Sequence, residues 1–180
     1  MDLNKFTQKA QEALLSAESA ARELNHQAVE PGHILLALLQ QSESIVPAVI
    51  MHIAGSTQAL LSELRGNLDK HPKVHGAGQT GLSASAVAAL DAAQRYAKGM
   101  GDDFTSTEHI LLGLTETSEN SLLESYGITR DAILKALRSV RGNQSVTSQN
   151  PEATFQALEK YGRDLTALAR QGKLDPVIGR

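Results

Sequence analysis

The sequence predicts an all-α fold made of two similar four-helix halves, followed by a linker and a helical tail. Three observations predict it. The stretch HILLALL, from His33 to Leu39, returns as HILLGL, from His109 to Leu114, 76 positions later. Alanine and leucine dominate the 180 residues, aromatics make up 3%, and β-branched residues never gather at the alternating spacing of a strand. Apolar residues instead recur at helical intervals in both copies.

The match extends beyond the quoted stretch. Phe6 and Thr7 fall on Leu82 and Ser83, and Ala10, Leu14, Ala17 and Ala21 fall on Ala86, Leu90, Ala93 and Ala97. Leu24 falls on Met100. Downstream the offset drops to 73, so that Ala59, Leu60 and Leu64 meet Ala132, Ile133 and Leu137. A loop three residues shorter in the second copy accounts for the change.

Each copy reads as four helices. The first, residues 4–70, has them near 4–25, 31–41, 45–54 and 56–70; the second, residues 83–141, near 83–99, 106–116, 120–126 and 129–141. Pro31 suits a first helical turn. Ser56 and Thr129 follow glycine-containing turns and suit N-caps. Thr105-Ser106-Thr107-Glu108 ahead of an apolar run has the pattern of a capping box. A half of roughly 70 residues buries too little surface to stand alone, so the two halves are expected to share one core by pseudo-twofold symmetry, with the HILL segments at its centre.

Residues 71–82 join the halves. Gly76, Gly78 and Gly81 match a dinucleotide-binding fingerprint by letter, but no strand precedes them, and a glycine-rich hinge is the reading adopted. Residues 143–151 are polar and read as a flexible linker. From 152 helical spacing resumes, with Phe155, Leu158, Leu165 and Leu168. The final DPVIGR offers apolar residues without a local partner, as expected of a chain cut from something larger.

Composition removes several function classes. A net charge of −3 supplies no basic stripe for nucleic acid or anionic lipid. The absence of cysteine removes disulfides and thiolate chemistry. No apolar run approaches the roughly 20 residues of a membrane span, and the N-terminus lacks the apolar core of a signal peptide. Gly172-Lys173 lacks the spacing of a phosphate loop, there is no His-Glu-x-x-His, and no metal site or catalytic residue is expected.

The copies differ in one respect. Thr7 and Ser83 both keep a hydroxyl, but Asp102 stands opposite His26 and Glu108 opposite Gly32. Acidic residues at these places occur only in the second copy. By spacing, Glu108 completes a capping box with Thr105, and Asp102 is a turn residue after Gly101. On the fifth helix a second, weaker stripe runs through Ala88, Ala92 and Tyr96. Tyr96 replaces Ala20 of the first copy and reads either as the wall of a groove or as a partly buried structural tyrosine.

MDLNKFTQKAQEAL, GHILLAL, TSTEHILLGL and ALEKYGRDLTALARQGKLDPVIGR together resemble the N-terminal region of the ClpB-type protein disaggregases, within the Clp ATPase family. The resemblance covers the whole chain. It implies a Clp repeat N-terminal domain at 1–142, and at 152–180 the lead-in to a first AAA+ module whose Walker motifs are missing, with Val177 and Ile178 lining the adenine pocket in the parent. It implies ATP and Mg for the parent and no cofactor for these residues. It implies a cytoplasmic homohexameric parent that works with the DnaK system, and a monomer for the present chain. The partners implied are unfolded or aggregated polypeptides, handled through Thr7, Asp102 and Glu108; Tyr96 is added from the helix-five stripe. Gly32 departs from the glutamate common there in the family. An adaptor-docking domain of the ClpA or ClpC kind is the alternative.

Overall fold

A computed structural model describes residues 2–76, 79–142, 144–149 and 151. The expected tail from 152, including Val177 and Ile178, lies outside the described residues. Eight α-helices occur among the described residues: α1 (Gln8–Glu23), α2 (Pro31–Gln40), α3 (Ile45–Ala54), α4 (Gln58–Asp69), α5 (Ala84–Gly99), α6 (Thr107–Leu114), α7 (Asn120–Ser125) and α8 (Arg130–Arg141). No strand longer than an isolated bridge is present among these residues.

The first helix begins later than expected. Leu3–Lys5 form a single 3-10 turn, Phe6 is extended, and Thr7 caps α1 by accepting the Ala10 N–H at 3.2 Å. Ser83 caps α5 in the same way through Ala86 N–H at 3.0 Å. The shared hydroxyl is therefore a paired N-cap. Thr129 caps α8 through Ala132 N–H, and Ser56 Oγ accepts the Gln58 N–H ahead of α4. Pro31 occupies the first turn of α2.

Helices α2 and α6 are buried almost all round, which places them at the centre. Leu35 and Leu111, equivalent in the repeat, are both fully enclosed. Around them α1, α4, α5 and α8 each turn one apolar stripe inward: Ala10, Ala13, Ala17 and Ala21 on α1, and Ile133, Ala136 and Leu137 on α8. α5 and α6 approach closely because Gly113 carries no side chain; a Cβ there would stand 2.2 Å from Ala89 O. The first copy has Ala37 at that place.

The two halves exchange their leading segments. Phe6 bridges Thr105, and Val29 bridges Leu82. Adding 76 converts one pair into the other. The hydrogen bonds follow: Thr7 N–H donates to Thr105 O and Thr105 N–H to Lys5 O, while Ser83 N–H donates to Val29 O and Val29 N–H to Gly81 O. Each half thus completes the other, as a pseudo-twofold pair must.

The segment expected as a flexible linker is held where it is described. Val146 is fully buried; its N–H donates to Asp102 Oδ1 at 2.9 Å, and its carbonyl accepts from Asp103 N–H at 2.8 Å. Further along, Gln8 N–H donates to Gln149 O at 2.7 Å. The one apolar residue of this polar run supplies the anchor, and a buried carboxylate needing donors supplies the tie.

Candidate functional site

Three of the four residues expected to handle clients lie beside the Phe6–Thr105 bridge. Thr7 and Glu108 are 0% exposed, and the Asp102 side chain is 1% exposed. Asp102 and Glu108 belong to an enclosed frame, and Thr7 joins the chain beside it through its N–H bond to Thr105 O.

The frame is built on His109. Ser106, not Thr105, is the N-cap of α6, and His109, not Glu108, fills the third helical position. His109 Nδ1 accepts the Ser106 N–H at 2.9 Å, which leaves the proton of a neutral ring on Nε2, 2.7 Å from Asp102 Oδ2. Asp102 Oδ1 accepts from Arg141 Nη2 at 2.7 Å and from Val146 N–H. Arg141 Nη1 stands 3.7 Å from Glu108 Oε2, and Ser106 Oγ donates to Glu108 Oε1. Burial pushes the Asp102 carboxyl up, but the bonds from His109, Arg141 and Val146 and the charge of Arg141 outweigh it and bring it to about 2.

The first copy solves the same corner with a pair of histidines where the second has an ion pair. His33 Nδ1 accepts the Glu30 N–H at 2.9 Å, as His109 does at Ser106, and His33 Nε2 lies 2.7 Å from His26 Nδ1. His26 is the mate of Asp102. Gly32 is the mate of Glu108, and by the offset of 73 Leu68 is the mate of Arg141. A Cβ on Gly32 would meet Leu68 Cδ2 at 3.0 Å and Glu119 Oε1 at 3.1 Å, so a glutamate at 32 would press on both leucine and carboxylate. Asp, Glu and Arg in one half are thus replaced together by His, Gly and Leu in the other. Burial first, then His26 and His71, lowers His33 to about 4.

Sequence reasoning missed Arg141 and the role of His109. The signal for Arg141 was present: Ile133, Leu137 and Arg141 follow one helical stripe, so a cation sits where the stripe demands an apolar residue. The signal for His109 was its repetition at His33.

Tyr96 lies half-buried on a trench between α5 and α8 whose far end is lined by Arg141 of the frame. Two adjoining hollows of about 400 and 360 Å³ share Met100 and Leu134; Tyr96 walls the first and Leu137 the second. Arg95 and Glu116, 3.2 Å apart, stand on the rim. Burial, then Glu116, raises the Tyr96 hydroxyl above its ordinary range against the opposing pull of Arg130. Among the described residues no group of three or more His, Asp or Glu side chains could hold a metal ion, and no single helix is long and apolar enough to cross a membrane.

Two interlocked helical repeats around a buried polar frame define a double-repeat all-α domain. The sequence profile of the Clp repeat (R) N-terminal domain matches residues 5–126, and the chain belongs to that family. It is 44% identical over 186 aligned residues to the chaperone protein ClpB of Bacillus cereus, an alignment covering all of this chain and 22% of that protein. The chain therefore spans about a fifth of the length of such relatives. The Hsp104 N-terminal domain of Candida albicans superposes with a TM-score of 0.72 at 21% identity, over 82% of this chain and 99% of that one. A ClpV N-domain solved in complex with a VipB peptide superposes with a TM-score of 0.62 at 21% identity, over 76% and 86% of the two chains. The chain corresponds to the N-domain of a Clp chaperone.

Proposed function

We propose that this domain loads unfolded, apolar polypeptide for a ClpB-type disaggregase, and that clients lie in the trench of Tyr96, Met100 and Leu134. The observation that carries the reading is that trench: it is open, Met100, Leu134 and Leu137 give it an apolar strip among Arg95, Glu116, Arg138 and Arg141, and Tyr96 lines it with a ring that has a polar tip. A few hundred Å² of apolar contact at ~25 cal/mol/Å² gives several kcal/mol, of which association removes much. An affinity between about micromolar and millimolar follows, suited to a loader that must release. Thr7, Asp102 and Glu108 serve client handling in this reading by fixing the frame next to the trench.

The resemblance over the whole chain to ClpB relatives supports the wider reading: a cytoplasmic, ATP-driven homohexamer working with the DnaK system, with this chain a monomer when alone. ATP and Mg belong in that reading to AAA+ modules. Val177 and Ile178 are the residues here proposed to reach the adenine pocket.

The test is binding of a reduced, alkylated, permanently unfolded polypeptide, followed by fluorescence anisotropy. Tyr96→Ala and Leu134→Ala should each weaken it about five- to tenfold, the loss of roughly 1 kcal/mol of apolar contact. Unchanged binding in both overturns the trench. Binding that instead follows Arg95 and Glu116 substitutions and vanishes with salt favours a charged adaptor surface.

A further inference from the structure

We propose that His71 and Glu119 form a proton-operated clasp between the two halves, closed as an ion pair when His71 carries a proton and open when it does not. Glu119 stands at the head of α7 in the second half, and its carboxylate reaches across to the bare backbone of α2: a Cβ on Gly32 would stand 3.1 Å from Glu119 Oε1. His71 follows α4 in the first half, and its ring packs beside His26 and His33, with centroids 5.4 and 6.5 Å away. Among the described residues no hydrogen-bond donor reaches the Glu119 carboxylate. Burial pushes that carboxyl up, and His71 is the group that pulls it back.

The hydrogen bonds of the histidine cluster select the ring that takes the proton. His33 Nδ1 accepts the Glu30 N–H, so the proton of its neutral ring lies on Nε2 and is donated to His26 Nδ1, 2.7 Å away. The His26 proton is thereby placed on Nε2, where no acceptor meets it among the described residues. A further proton on either ring would turn an acceptor into a donor and break one of these bonds. His71 differs: its Nδ1–H donates to Asn67 O at 3.1 Å, and Nε2 keeps its lone pair. It is the one ring of the three that gains a proton without losing a bond. The carboxylate facing it from the other half is Glu119. Within the first half, Asp69 and Lys73 of its own segment and Glu30 ahead of α2 face its neighbour His26.

The repeat supplies the counterpart. In the second half Glu108 and Arg141 stand 3.7 Å apart as a permanent pair, because arginine keeps its charge throughout. Their mates, Gly32 and Leu68, cannot pair. The carboxylate that enters this place comes instead from the other half, as Glu119, and the cation from just beyond Leu68, as His71. An imidazole switches its charge in the physiological range, so the equivalent pair becomes conditional. Falling pH closes the clasp by giving His71 its charge, and stronger acid reopens it by neutralising Glu119. Over that window the clasp opposes the acid weakening expected from the lowered value of His33.

The experiment is a double-mutant cycle on the full chain, with His71→Gln and Glu119→Gln alone and together, read by urea unfolding at about pH 6 and about pH 8, on either side of the ordinary imidazole range. The two residues should be coupled about three- to fivefold in the unfolding constant at the lower pH, the range of a pair partly open to water, and uncoupled at the higher. The cycle cancels the contribution of His33, which all four proteins share. The His71 ring resonances give an independent reading: Glu119→Gln should lower the proton affinity of His71 by the same factor, as linkage requires. A coupling that is equal at both pH values overturns the clasp, and so does a His71 titration indifferent to Glu119→Gln. A His71 titration that moves with Glu30→Gln or Asp69→Asn and not with Glu119→Gln would place its partner within the first half, and overturns it equally.

Discussion

His109 Nε2 lies 2.7 Å from Asp102 Oδ2, and neither side chain reaches solvent. Asp102 is the node at which three parts of the chain meet: the start of α6 through His109, the end of α8 through Arg141, and residues 144–149 through Val146 N–H. Asp102→Asn removes the charge while Arg141 stays buried. Breaking one partner of an enclosed ion pair costs about 3–5 kcal/mol. Urea unfolding should show a loss of that size, and hydrogen exchange at Val146 should rise with it. A loss under about 1 kcal/mol, the range of an exposed pair, would show that the node does not hold the frame.

Buried groups of the two halves should weaken the shared fold in different pH ranges. His33 has an ordinary value of 6.5 and is lowered to about 4, by burial and then by His26 and His71. The unfolded chain takes up this proton near 6.5 and the folded chain only near 4, so stability is full above 6.5 and falls as pH drops from 6.5 to 4. The difference is on the order of 3 kcal/mol. Asp102 acts lower: its carboxyl is held at about 2 against an ordinary 3.8, so its contribution is full above 3.8 and disappears as pH falls towards 2. Burial first, then His71 and Lys73, lowers His26, against Asp69 and Glu30, which raise it. His26→Asp gives the first half the acceptor that the second half uses. It should bring His33 titration upwards, read from its ring resonances, and flatten melting temperature between pH 6.5 and 4. An unchanged acid profile would assign that leg to other groups.

Helix number, order and the central place of the HILL segments were legible because apolar spacing and the 76-residue offset repeat the same information twice. The frame was only half legible. Thr105 and Glu108 satisfy a capping pattern by letter, yet Ser106 and His109 take the cap, because the pairing of Thr105 with Phe6 holds Thr105 extended one residue earlier. That pairing joins residues 99 positions apart and leaves no local trace. Val146 was hidden in a polar run for the same reason: its burial depends on Asp102, far away in sequence. Tyr96 was a candidate because it lies on the second stripe of a single helix with Ala88 and Ala92, which is local information.

The approach of α5 to α6 gives the sharpest packing test. Gly113 faces Ala89 O at a distance no Cβ tolerates, 2.2 Å, with Ala93 N next at 3.1 Å. Both neighbours are backbone, so no side chain can turn aside, and accommodation requires the helices to separate. Gly113→Ala should therefore destabilise by about 1–3 kcal/mol or more, although alanine favours a helix by about 1 kcal/mol over glycine. Gly99, at the end of α5, has nothing within 4 Å of its Cβ position and no positive φ. Gly99→Ala should be neutral or stabilise by up to about 1 kcal/mol through the unfolded chain's lost freedom. Chemical denaturation of the two variants separates packing from propensity. The second half should feel Gly113→Ala at His109 as well, because α6 carries both residues; a shift of α6 away from α5 lengthens the His109–Asp102 contact. Loss of stability without any change in the His109 ring resonances would show that α6 yields only at its C-terminal end.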